Sequence, residues 1–137
     1  MITDQKRGEL IAHAREVRRR AYAPYSHYAV GAALLGKSGR IYEGVNVENA
    51  SYPVGICAER AAVFQAVSEG EREFEAIAVV SANGGSPCGA CRQVLSEFGL
   101  DTLVIAADSH GNYVEKTVAE WLPGAFGPGD LLGTDDA

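Results

Sequence analysis

The sequence lacks what would mark a membrane, secreted or nucleic-acid-binding chain. No apolar run approaches the roughly 20 residues needed to cross a bilayer. The N-terminal stretch MITDQKRGELIAHAREVRRR has neither the apolar core nor the small-residue cleavage site of a secretion signal, so a cytoplasmic location is expected. Cysteine is scarce: there are three, an odd count that in such a compartment suggests metal ligands or reactive thiols before disulfides. Positive charge is not in excess either. With a formal net charge of −6, the chain lacks the basic balance that a phosphate backbone demands, so no nucleic-acid partner is expected. Arg15, Arg18, Arg19 and Arg20 form one local basic cluster, which reads as a solvated helix face with cations near a helix C-terminus. At 137 residues there is room for one domain, residues 1–137, and no internal repeat divides it. Hydrophobic residues at 47% and charged residues at 22% exclude a disordered chain and leave a globular protein with a small-molecule substrate as the expectation.

What is present is a series of clear local patterns. Residues 4–22 carry Leu10, Ile11, Ala14, Val17 and Ala21 at helical spacing, which predicts an amphipathic helix ended before Pro24. YAVGAALL and IYEGVNVE are strand-like runs around GKSGR, a hairpin pattern. CAERAAVFQAVSEG predicts a largely buried helix capped by Gly70, and AIAVVS a strand buried on both faces. A second buried helix is expected to open at SPCGAC, with Ser86 as N-cap and Pro87 in the first turn, and to end near Gly99. TLVIAA and YVEKTV are the last two strands, and Thr117 with Glu120 has capping-box spacing. LPGAFGPGDLLGTDDA reads as a loop, with a tail over about residues 124–137. About five residues separate the last two strands, whereas a parallel crossover needs a dozen or more, so this pair must be antiparallel. The order of elements predicts an α/β fold around one five-stranded sheet.

SPCGACRQ places Cys88 and Cys91 in one Cys-X-X-Cys, and Cys57 opens the other buried helix. Two helix N-termini would offer free N–H groups and positive dipole ends, which favour thiolate over thiol. Three converging thiolates would bind zinc tetrahedrally and leave one position open, as in catalytic sites. Glu59, two residues after Cys57, is the candidate general acid/base beside such a metal. Three thiolates make the zinc a poorer Lewis acid, and Arg60 or Arg92 could restore part of that power by facing the sulfurs. Other readings stay open on these residues alone. Cys57 could be a core cysteine, the Cys-X-X-Cys could be a redox pair or half of a structural zinc site, and His13, His27 or His110 could supply a fourth ligand.

CAER followed by PCGACRQ, with NVENASY and APYSHYAVGAALL ahead of them in order, resembles the zinc-dependent cytidine deaminases of the short, three-cysteine type, from about Tyr22 to Phe126. The resemblance implies a three-layer α/β/α fold with a mixed five-stranded sheet. It also implies one Zn²⁺ per chain on Cys57, Cys88 and Cys91, and proton transfer by Glu59. By the same resemblance, Asn46 and Glu48 bind ribose hydroxyls and the Ala58 N–H meets the base carbonyl. Tyr28, where the family often has Phe, lines the pocket, and Tyr52 lines it or that of a neighbouring subunit. Phe126, a bulky ring among Gly124, Ala125, Gly127 and Pro128, resembles a C-terminal aromatic that reaches a neighbour's base pocket in a homotetramer. The activity implied is hydrolytic deamination of cytidine and 2′-deoxycytidine in pyrimidine salvage. A deaminase of another small cytosine compound, of the blasticidin type, shares the cysteine blocks, but NVENASY argues against it. A polynucleotide deaminase is disfavoured by the antiparallel last pair and the acidic balance, and a non-catalytic zinc-binding module is the alternative from another class.

Overall fold

A computed structural model describes residues 2–133. The first helix, α1 (Asp4–Val17), opens where the Thr3 hydroxyl accepts the Lys6 N–H at 3.1 Å, and it buries Leu10, Ile11, Ala14 and Val17, the periodic face of the sequence. It is shorter than expected. The chain tightens into one 3₁₀ turn over Arg18–Arg20, and Tyr22 is already extended, exchanging backbone bonds with Asn46 and Glu48.

Strands β1 (Gly31–Gly36) and β2 (Ile41–Val45) form the expected hairpin, turning at Gly39 with φ 94°. Both strands begin or end closer to the turn than the apolar runs suggest, because the Asn46 side chain takes the place of a ladder partner for Tyr28 and Val30. Helix α2 (Ala58–Ser68) is followed by Gly70 at φ 92°, and β3 (Phe74–Val80) is almost wholly buried. Helix α3 (Gly89–Ser96) opens two residues later than Ser86 and Pro87 suggest. Its N-cap is Cys88, while Ser86 Oγ and the Pro87 carbonyl both accept from Arg92. Strands β4 (Leu103–Ala107) and β5 (Tyr113–Thr117) follow, then α4 (Val118–Trp121) behind the Thr117–Glu120 capping box. A further short helix, α5 (Pro128–Leu132), lies where a loop was expected. Pro128 suits its first turn, and Asp130 accepts the Gly127 N–H at 2.8 Å.

The sheet runs β2-β1-β3-β4-β5 and is mixed: β3 and β4 are parallel, and the β4–β5 pair is antiparallel as the short connection requires. Strand residues alternate between two cores. Ala33, Leu35, Ala76 and Ala78 pack with α1, while Ala32, Leu34, Ile77 and Val79 pack with α2 and α3, giving three layers. Two glycines let helices press on the sheet. A Cβ at Gly31 would run into the α1 backbone at Ala14, and one at Gly44 into the α2 backbone at Ala58 and Ala62.

Candidate active site

Helices α2 and α3 pack on one face of the sheet with their N-termini side by side, and the cysteines sit at those ends. Cys57 caps α2, Cys88 caps α3, and Cys91 lies in the first turn of α3. Their sulfurs all lie within 4.8 Å of one another, with Cys88 and Cys91 at 3.4 Å and Cys57 and Cys88 at 3.9 Å. Among the described residues this metal-ligating group contains no histidine. His13 instead pairs with Glu43 at 2.9 Å. The Cys57 thiol is lowered to about 5, first by hydrogen bonding with Cys91 and then, against its own burial, by the Arg60 guanidinium. Cys91 is correspondingly raised, by holding the hydrogen it shares with Cys57 and by burial. Three sulfur donors at two helix N-termini, with a cation alongside, fit zinc and leave a tetrahedral position for a non-protein ligand.

The two candidate arginines separate. Arg60 Nη2 lies 3.5 Å from Cys57 Sγ, the contact that draws charge off a thiolate. Arg92 makes no hydrogen bond to a sulfur among the described residues. Its guanidinium donates to the Pro87 carbonyl at 2.8 Å, the Trp121 carbonyl at 2.8 Å and Ser86 Oγ at 3.1 Å, so it ties the loop before α3 to the end of α4.

Glu59 is the second residue of α2 and is only 5% exposed. Burial first, and the neighbouring charge on Cys57 as well, push its carboxyl above the ordinary range, towards the protonated form. It opens onto a cleft of about 500 Å³, within the range of small-ligand sites.

Asn46 and Glu48 line the same cleft and also clamp the loop opposite. Asn46 Oδ1 accepts the Val30 N–H at 2.9 Å and its Nδ2 donates to the Tyr28 carbonyl at 2.8 Å. Glu48 accepts the N–H groups of Tyr25 and Ser26 at 3.0 and 3.1 Å and the Ser26 hydroxyl, which is the first cause of its lowered carboxyl. An amide and a carboxylate so used keep further lone pairs and one N–H for a ligand. The clamped loop includes His27 in the left-handed region at φ 58°.

Ala58, at the first position of α2, lines the cleft with an N–H that has no intrahelical partner. Tyr28 also lines it, its hydroxyl donating to Asn83 Oδ1 at 2.7 Å. Tyr52 stands at the mouth, 74% exposed and edge-on to Tyr25 with ring centroids 6.4 Å apart. Phe126 does not line this cleft. It is 59% exposed, and its carbonyl accepts from Gln93 Nε2 at 2.8 Å. Ser26, Ser81 and Gly85 line the cleft without having been singled out from the sequence. Their only local signal is turn composition, as in ANGGS.

The family described as the cytidine and deoxycytidylate deaminase zinc-binding region matches residues 4–107. A protein of Sporosarcina psychrophila named cytidine deaminase is 51% identical over 126 residues, covering 90% of this chain and 93% of its own. A Mycobacterium tuberculosis protein of the same name is 44% identical over 81% of this chain and 82% of its own. The crystal structure of cytidine deaminase from Burkholderia pseudomallei superposes with a TM-score of 0.84 at 44% identity, covering 91% of this chain and all (100%) of that one.

Proposed function

This chain belongs to the zinc-binding cytidine and deoxycytidylate deaminases, and from that membership we propose that it hydrolyses cytidine and 2′-deoxycytidine to uridine and 2′-deoxyuridine, releasing ammonia. The observation that carries the reading is the meeting of three sulfurs and the buried Glu59 at one nucleoside-sized cleft.

Cys57, Cys88 and Cys91 would hold one zinc per chain. Zinc held there would supply Lewis acidity, which lowers the pKa of water to about 7. Glu59 takes a proton from the water that adds to C4 and passes it to N3 of the ring. It then carries a proton to the amine, so that ammonia and not an amide anion departs. The Ala58 N–H holds the base carbonyl, and Arg60 draws charge from Cys57. Asn46 and Glu48 use their remaining hydrogen-bonding capacity on the ribose hydroxyls, which favours a nucleoside over a free base. Tyr28 packs its ring on the substrate.

The enzyme works as a homotetramer in cytoplasmic pyrimidine salvage, with active sites completed by neighbours. The exposed rings of Tyr52 and Phe126 and the exposed Val54 side chain support this, since they leave apolar surface that a second copy would cover. Turnover of cytidine, deoxycytidine, CMP and blasticidin S by the zinc-loaded protein tests the reading. Preference for the two nucleosides is expected. Preference for blasticidin S or a nucleotide would change the substrate, and zinc without turnover of any would leave a binding module.

A further inference from the structure

Strands β1 and β3 pair antiparallel up to Gly31 opposite Val80. Continuing that register brings Tyr28 opposite Asn83, yet the backbone ladder has ended. The loop before β1 swings towards Asn46, and Asn83 makes its backbone bridge to Asp108 instead. The two strand extensions therefore part at the cleft, and a side-chain bond closes them again: Tyr28 Oη donates to Asn83 Oδ1 at 2.7 Å.

Asn83 is built to receive it. The same Oδ1 accepts the Gly85 N–H at 3.1 Å, and Ser81 Oγ, on a residue only 2% exposed, accepts the N–H groups of Gly84 and Gly85 at 3.0 and 3.2 Å. The 81–85 turn is thus held by its own side chains, and although the Ser81 hydroxyl also reaches Asn83 Oδ1 at 3.4 Å, the tyrosine makes the shortest contact to that oxygen. Gly85 makes the room, since a Cβ there would come within 2.9 Å of the Tyr28 hydroxyl. Beyond the turn the chain runs on to Ser86 and Cys88, so the bond links the wall that bears Tyr28 to the wall that bears a sulfur ligand.

We infer that Asn83 is a positioning residue that acts through Tyr28, setting the separation of the two cleft walls and the pitch of the Tyr28 ring against the substrate. The inference rests on the nucleoside reading above. It makes the tyrosine hydroxyl a structural tether at the rim, outside the proton-transfer chemistry.

A double-mutant cycle on the zinc-loaded enzyme tests it. Y28F and N83L should each raise KM for cytidine by about 3- to 10-fold, the size of one hydrogen bond, with kcat changed less than KM. The Y28F/N83L double variant should be no worse than the poorer single, and N83D, which keeps the acceptor, should return KM towards wild type. Additive losses, an unchanged KM in Y28F, or equal damage from N83D and N83L in folded protein would overturn the inference. A wild-type enzyme inert towards cytidine would overturn the functional reading and this inference with it. That outcome is distinct from an active wild type with an additive cycle.

Discussion

At the scale of single residues the site depends on carboxyl groups set apart by their surroundings. Glu59 is buried and held towards its protonated form, whereas Glu48 sits among donors that favour its charge. Glu59→Gln should keep zinc and fold but lose turnover by about 10²- to 10⁴-fold, the usual range for a general acid–base group. Metal analysis and steady-state kinetics would check this, and a loss of only a few-fold would remove Glu59 from the proton path. Glu48 predicts a pH effect on stability. Folding lowers its pKa, so its contribution is complete above the unfolded value of about 4.3 and is lost as pH falls through the lower folded value. The difference in melting temperature between wild type and Glu48→Gln should therefore narrow on acidification below about pH 4. The grouping of the three cysteines was legible because cysteine is rare here and its spacing is specific. Asn83 was not, because its meaning depends on Tyr28, far away in the chain, and nothing local to ANGGS shows that contact.

At the scale of elements, each helix start does more than begin a helix. Cys57 and Cys88 occupy cap positions where Ser, Thr, Asp or Asn would ordinarily serve, and neither side chain makes a cap hydrogen bond, so the sulfurs stay available to a metal. This is why the start of α3 was misplaced from sequence. Ser86 and Pro87 have the chemistry of a cap and a first turn, but Arg92 engages both and the helix waits for Cys88. The antiparallel last pair, by contrast, followed from loop length alone. The two sheet glycines separate packing from function. Gly31→Ala and Gly44→Ala should each destabilise the fold by about 1 to 3 kcal/mol through overpacking. Gly44→Ala pushes on the α2 turn that carries Cys57 and Glu59, so it should also depress kcat. Gly31→Ala displaces α1, on the other face, and should leave the activity of the folded fraction close to wild type. Equal kinetic damage from both would show that the site senses global strain and not the position of α2.

At the scale of the whole molecule, the proposed tetramer predicts that activity is shared between chains. Phe126→Ala should raise KM for cytidine with zinc retained, by the equivalent of about 1 to 3 kcal/mol for a ring stacked on a base. Subunits carrying Phe126→Ala, mixed with subunits carrying Glu59→Gln, should regain activity beyond the mean of the two parents, because some sites then hold both native residues. No gain on mixing, or a monomer in solution, would assign Phe126 to its own chain. The tether between Tyr28 and Asn83 also bears on how this sequence can drift over generations. Because a Cβ at position 85 would press on the Tyr28 hydroxyl, the two positions are not free to change in either order. Gly85→Ala arising first should be deleterious. Arising after Tyr28→Phe it should be nearly silent, so the KM penalty of G85A should shrink in the Y28F background. A lineage that trades the hydroxyl away is thereby released from a glycine, and one that keeps it inherits both as a single unit.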